Sequence, residues 1–262
     1  MRRELGPDGL DIGHGGDPGG HPVVLVHGVM DRGSAMLRVA RLLPEASWSI
    51  YDRRGYGRSI SPTPVDVHGH IDDLIAILEL VGKRSERPAV VVGHSLGGAI
   101  SLAAAERRPD IVESLFVYEA PMSWMPFSAD ATAASAVGSP EDAAEAFLRR
   151  ILGDDGWASL PEATRARRLI EGRALVAELT SSVRGPFFDP ARIEAHVVVA
   201  RGSDPPQRAI LAADTILAAL PDGERLVIEG APHGAHLTHA AELAAAVRPL
   251  LGRTTSSSSV TS

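Results

Sequence analysis

Short runs of consecutive apolar residues alternate along this chain with longer stretches in which apolar residues recur every three or four positions. Residues 22–26 (PVVLV) and 88–92 (PAVVV) are rich in valine, open on proline and end at histidine or glycine. Unbroken hydrophobicity of this length marks a strand whose two faces are both covered by helices, so these runs predict buried parallel strands. Further candidates are 48–51 (WSIY), 114–118 (SLFVY), 195–200 (AHVVVA) and 225–228 (RLVI). Helical spacing appears between them at 71–81, 99–106, 210–220 and 240–251. Strand and helix alternating in this way predict an α/β fold built on a doubly wound, mostly parallel sheet.

Residues 121–190 break the rhythm, with helical patterns at 141–152 and 161–179 and no strand between them. An insertion of roughly 70 residues exceeds what a crossover needs. It predicts a helical cap (121–190) over the end of the sheet where open α/β folds bind ligands, with the core formed by residues 1–120 and 191–252. Residues 253–262 (RTTSSSSVTS) have nothing to bury and are expected to be a disordered tail.

Composition narrows the function. Of the 262 residues, 44% are hydrophobic and 23% charged, as in ordinary globular proteins, and the length suits one folding unit. The formal net charge of −7 provides no basic footprint for nucleic acid or an anionic membrane surface, so the expected partner is a small molecule. The absence of cysteine excludes disulfides, thiolate catalysis and Cys-based zinc sites, and no cofactor is expected. Neither a signal-peptide pattern nor a long apolar segment stands in the sequence, which makes the cytoplasm the default location.

The sharpest chemical signal is Gly93-His94-Ser95-Leu96-Gly97, which follows the PAVVV run and opens the helical pattern at 99–106. A GxSxG segment between strand and helix is the context of a nucleophile elbow. The turn is so tight that side chains two residues before or after the serine would collide with the adjoining strand and helix, hence the glycines. Ser95 is thereby lifted clear of the sheet, and the helix N-terminus behind it offers free N–H groups to a developing anion. The competing reading is a glycine-rich turn with an N-capping serine. A second motif, His27-Gly28-Val29-Met30, closes the PVVLV strand.

With these motifs the sequence resembles the α/β-hydrolase superfamily, whose members commonly carry His-Gly after the strand preceding the first helix. Residues 51–59 (YDRRGYGRS) are similar to the superfamily's Asp-x-Arg-Gly-x-Gly-x-Ser segment, a fold marker that holds a loop near the site. The likeness covers most of residues 20–252 apart from the cap. It implies an oxyanion hole formed by the backbone N–H groups of Val29 and Leu96, and a histidine base after a small-residue loop with leucine about four positions on. That register selects His233, with Leu237, in the segment 229–237 (EGAPHGAHL), leaving His236 as a neighbour and His94 and His239 as packing or exposed residues.

Two residues compete for the acid that orients the base. Asp204, in Arg201-Gly202-Ser203-Asp204-Pro205, stands where the family most often places it, but one residue short of the usual spacing. Glu119 ends the preceding strand, a position used by some relatives including lipases, and an ionised carboxylate partly shielded there needs a partner such as histidine. With either acid the implied reaction is acyl transfer: a serine hydrolase cleaving an ester or thioester of a small, mainly apolar acyl substrate. Carbon–carbon bond or lactone hydrolysis on the same triad, and a small-molecule binding protein retaining the fold, are the alternatives. Trp124, Met125, Phe127, Phe147, Trp157, Phe187 and Phe188 hold most of the aromatic and thioether side chains of the cap region, which suggests an apolar pocket.

Overall fold

A computed structural model describes residues 1–61, 63–128 and 138–253. An eight-stranded sheet runs through it, with strands β1 (Arg2–Leu5), β2 (Asp11–Gly16), β3 (His21–Val26), β4 (Ala46–Tyr51), β5 (Ala89–His94), β6 (Val112–Tyr118), β7 (His196–Gly202) and β8 (Gly223–Ile228). Their order is β1-β2-β4-β3-β5-β6-β7-β8. β2 pairs antiparallel with β1 and with β4, and every later pairing is parallel. The doubly wound, mostly parallel sheet is therefore as the apolar runs predict, with a hairpin added at one edge. β1 and β2 carry no such run: DIGHGG is half glycine, and it pairs on β4 through backbone bonds that any side chain permits.

Alternation along the buried strands divides the core in two. Val24, Val26, Val91, Leu115, Val117, Val197 and Val199 face one layer, and Val23, Leu25, Val90, Val92, Phe116, Tyr118 and Val198 face the other. The first layer is completed by helices α2 (Val67–Ser85), α3 (Leu96–Arg107) and α7 (Gln207–Ala219), the second by α1 (Leu37–Arg41), α8 (Ala235–Thr238) and α9 (Ala240–Val247). α3 is buried from Leu96 through Ala105, and its small Ala and Gly side chains let it lie close to β5 and β6. α2 is started by Asp66, whose carboxylate accepts the Gly69 N–H, and stopped by Glu86 in a left-handed conformation.

The stretch between β6 and β7 holds α4 (Pro140–Ser159), α5 (Glu162–Ile170) and α6 (Gly172–Ser182). Ser139 and Asp142 cap α4 reciprocally, and the chain departs from helical geometry at Gly153. Residues 129–137 of the expected cap, and 254–262 of the expected tail, lie outside the described residues. Arg253, at the start of that tail, lies 3.6 Å from Asp222. The aromatic residues of the insert do not form one cluster: Trp124, Phe187 and Phe188 pack edge to face on each other against the first core layer, while Trp157 and Phe147 pack with Met30, Tyr56 and Leu175. No helix among the described residues is long and apolar enough to cross a membrane.

Candidate active site

Because β3, β5, β6, β7 and β8 are parallel, the residues that follow them emerge at one edge of the sheet. The strand order reverses between β3 and β5, and Gly28 and Ser95 leave the ends of those two strands. This is the switch point at which open α/β sheets leave a crevice. The structure brings Ser95, Glu119, His233, Val29 and Leu96 to this edge.

Ser95 adopts φ 53° and ψ −128° and its side chain makes no capping hydrogen bond. Ser95 thus holds the N-cap position of α3 without capping it through its side chain: a non-glycine residue at positive φ carries backbone strain, and no capping bond ties up the hydroxyl. The flanking glycines are required by contact. A Cβ on Gly97 would stand 2.5 Å from the carbonyl oxygens of both Val26 and His27, and one on Gly93 would stand 2.5 Å from Gly98 Cα. The Ser95 N–H is held by the Tyr118 carbonyl at 2.9 Å, tying the elbow to the next strand. Gly28 faces the serine closely, since a Cβ there would lie 3.0 Å from Ser95 Cβ. Leu96 is buried and Val29 half-buried, so any role at the crevice falls to their backbone N–H groups.

His233 lies in the loop after β8, its side chain 50% exposed, and donates from Nδ1 to Glu119 Oε2 at 2.6 Å. A carboxylate only accepts, so this bond sets the tautomer and leaves the Nε2 lone pair free. Glu119 is buried, with its side chain 2% exposed, and has φ 48°. Its other oxygen accepts the Gly202 N–H at 3.3 Å. That geometry follows from register: Tyr118 pairs with Ala200, which sets Glu119 beside the end of β7. Of the two candidate acids, then, Glu119 is the one joined to His233. Asp204 is exposed in the turn beyond β7 and makes no hydrogen bond from its side chain to another described residue.

Two further side chains fix the His233 loop. Tyr118 Oη donates to the Pro232 carbonyl at 2.9 Å, and His94 Nε2 donates to the His233 carbonyl at 2.8 Å. His94 is buried and kept neutral: burial, then the neighbouring imidazoles of His236 and His233, push its pKa well below the ordinary histidine value. His94 thus packs in the interior, as expected, but through a polar bond to the His233 loop. His236 is buried and donates from Nε2 to Asp31 Oδ2 at 2.9 Å, which links that loop to the segment after β3. Burial raises the Asp31 carboxyl, but the bond from His236 and the nearby His27 outweigh it and hold it at about 2. Asp31, His94 and His236 have donor atoms all within 4.8 Å of one another, the kind of set a divalent metal takes; here a direct hydrogen bond joins His236 and Asp31.

Sequence reasoning missed Asp31 and a second polar group beneath the β3 loop. Glu178 of α6 is fully buried and accepts from Arg53 Nη1 at 2.6 Å and from the Tyr56 hydroxyl. Burial pushes the Glu178 carboxyl up, yet Arg53 and then His70 hold it down at about 2. A signal existed: Glu178 shares the helix stripe of Ala174, Leu175, Ser181 and Ser182, and a charge on a buried stripe demands a partner. The Asp52 carboxylate accepts the Gly33 and Arg58 N–H groups, both at 2.8 Å, so the marker segment does hold loops together.

A mostly parallel sheet with a strained serine at its switch point and a carboxylate-held histidine at the same edge has the architecture of an α/β-hydrolase. Residues 23–246 match the model of the alpha/beta hydrolase family, and the chain belongs to that family. It is 31% identical over 153 residues to the lipase LipV of Mycobacterium tuberculosis, covering 58% of this chain and 57% of that protein. It is also 31% identical over 119 residues to lipase 1 of Psychrobacter immobilis, covering 45% of this chain and 37% of that one. The matches thus span between about a third and somewhat over half of these relatives' lengths. A bromoperoxidase from Bacillus anthracis has the same fold, with a TM-score of 0.77 at 22% identity over 96% of this chain and all of the other. So does a thermophilic esterase from Thermogutta terrifontis, with a TM-score of 0.74 at 19% identity over 96% of this chain and 98% of that one.

Proposed function

We propose that this protein is a serine esterase in which Ser95 is the nucleophile, His233 the base, Glu119 the orienting acid, and the N–H groups of Val29 and Leu96 the oxyanion donors. The observation that carries this reading is the 2.6 Å bond from His233 Nδ1 to the buried Glu119, at the edge where the strained Ser95 emerges. His233 Nε2 takes the Ser95 proton as Oγ attacks the ester carbonyl carbon, and the charge that develops on oxygen is met by the two backbone donors. Collapse expels the alcohol, which leaves with the proton from His233. Water, deprotonated by the same histidine, then releases the carboxylic acid and restores Ser95. The lipase names of the curated relatives support an ester of a mainly apolar acyl group as substrate.

The helices between β6 and β7 act as the cap over this site. Supporting that reading, Glu171 at the start of α6 accepts from Arg32 and from the Gly57 N–H, and Arg168 of α5 donates to the Met30 carbonyl at 3.2 Å. Treatment with a fluorophosphonate probe tests the assignment: a single adduct on Ser95 is expected, lost in Ser95→Ala together with hydrolysis of p-nitrophenyl acetate, butyrate and octanoate. A folded protein that neither labels nor turns over any of these esters would overturn it.

A further inference from the structure

Arg53 stands outside the hydroxyl, base and acid, yet it reaches directly to the peptide group that carries one of the two oxyanion donors. Resting on the esterase reading above, we infer that Arg53 is a positioning residue: held by Glu178 of the inserted helices, it sets the orientation of the Val29 N–H toward the developing oxyanion.

The peptide bond is planar. The Gly28 carbonyl and the Val29 N–H belong to one rigid unit and point in opposite directions. Whatever anchors the Gly28 oxygen therefore aims the Val29 hydrogen. That oxygen accepts two bonds, from Arg53 Nη2 at 2.9 Å and from His27 Nδ1 at 2.8 Å. The guanidinium also binds the preceding carbonyl, with Nε donating to His27 at 3.1 Å, so one planar fork holds two successive peptide groups. The Arg53 backbone contributes as well. Its N–H donates to His27 Nε2 at 2.9 Å, which requires the proton of that neutral imidazole to be on Nδ1, the atom that faces the Gly28 oxygen. Both bonds on that oxygen thus depend on residue 53, one through its side chain and one through its amide.

The third edge of the fork leaves the loop. Arg53 Nη1 meets Glu178 Oε2 at 2.6 Å, both residues are fully buried, and Tyr56 and His70 complete the glutamate's surroundings. A buried ion pair is a poor way to stabilise a fold, because desolvation consumes most of the attraction and apolar side chains of equal volume serve as well. A fixed cation under a carbonyl does something apolar residues cannot. It draws the Gly28 oxygen toward itself and polarises the peptide, so the N–H on the far side is a stronger and better-aimed donor. Glu178 comes from α6, so the insert and the oxyanion donor are mechanically joined through a single side chain.

The test compares wild type with Arg53→Lys, Glu178→Gln and the paired change Arg53→Met with Glu178→Met, which removes both buried charges together and carries the test should a single variant fail to fold. Each is assayed on p-nitrophenyl butyrate and titrated with a trifluoromethyl ketone, whose ionised hemiketal with Ser95 Oγ mimics the oxyanion, and with the matching methyl ketone, which binds without forming that adduct. For the Arg53 variants we expect kcat to fall by about thirtyfold or more with KM within about threefold, given that losing an oxyanion donor outright costs about 10²–10³. Affinity for the trifluoromethyl ketone should fall by a similar factor, with that for the methyl ketone unchanged, and the Val29 amide should exchange faster with solvent. Glu178→Gln should move the same quantities in the same direction by a smaller factor. Folded Arg53 variants in which the ratio of the two ketone affinities equals that of wild type would show that Arg53 serves the fold alone. Absence of fluorophosphonate labelling in wild type would instead overturn the esterase reading on which the inference stands.

Discussion

Glu119 is a charged side chain with almost no solvent contact, and its two oxygens are divided between an imidazole and a backbone N–H. Removing its charge leaves His233 without the partner that fixes the tautomer, while Asp204, exposed and uncommitted, has no such duty. Glu119→Gln should therefore lower kcat on a p-nitrophenyl ester by on the order of 10²–10⁴, and Asp204→Asn should leave it within about twofold. The reverse ranking would move the acid to Asp204. Sequence placed both residues after strands and could not choose, since the choice depends on which strand end lies beside a histidine 114 positions away.

At the scale of the element, the unit that matters is β5, the elbow and α3. Its glycines are there because backbone occupies the space a methyl group would need. Gly97→Ala sets a Cβ 2.5 Å from two carbonyl oxygens of β3 and its loop, atoms that cannot yield without moving the segment that carries Gly28. A loss of about 1–3 kcal/mol in stability, with activity falling further, is expected from urea denaturation and ester assay. Gly82 in α2 is the contrast: its nearest neighbour to a Cβ is at 3.6 Å, within ordinary contact, so Gly82→Ala should stabilise by about 0.5–1 kcal/mol through helix propensity. Equal effects at the two sites would refute the steric account. The elbow was legible because strand, turn and helix are contiguous and each has its own periodicity. The β1–β2 hairpin was not, because its strands are glycine-rich or exposed and owe their form to pairing on β4.

Across the whole molecule, burial of neutral histidines couples stability to pH. His27 and His21 are both lowered to about 4, each first by burial and then by a nearby arginine, and His94 lies well below its ordinary value. The unfolded chain binds these protons at its higher pKa of 6.5, so stability that is complete above that pH is lost as pH falls toward 4. Asp31 and Glu178, held at about 2, lose their contribution only in a lower window, below the 3.8 and 4.5 of free carboxyls. At pH 5.5, unfolding should take up about two protons or more, and each costs about 1.4 kcal/mol per pH unit. Urea denaturation between pH 7.5 and 5.5 checks this, and a flat profile would mean these imidazoles are charged in the folded state.

Local chemistry was sufficient for the mostly parallel sheet and the family likeness, and it singled out Ser95 and His233 as the candidates on which the proposed chemistry rests. A nucleophile elbow is a contiguous motif whose glycines, strand and helix must all appear in order, and the apolar runs of buried strands have no other use. The partnership of Glu119 with His233, the links of His94 and Asp31 to the His233 loop, and the anchoring of Arg53 by Glu178 came from the folded chain. Each joins residues distant in sequence, and in each the pairing depends on which segments the fold sets side by side. A buried helix stripe can announce that Glu178 needs a partner, but nothing near it in the sequence says which residue that is.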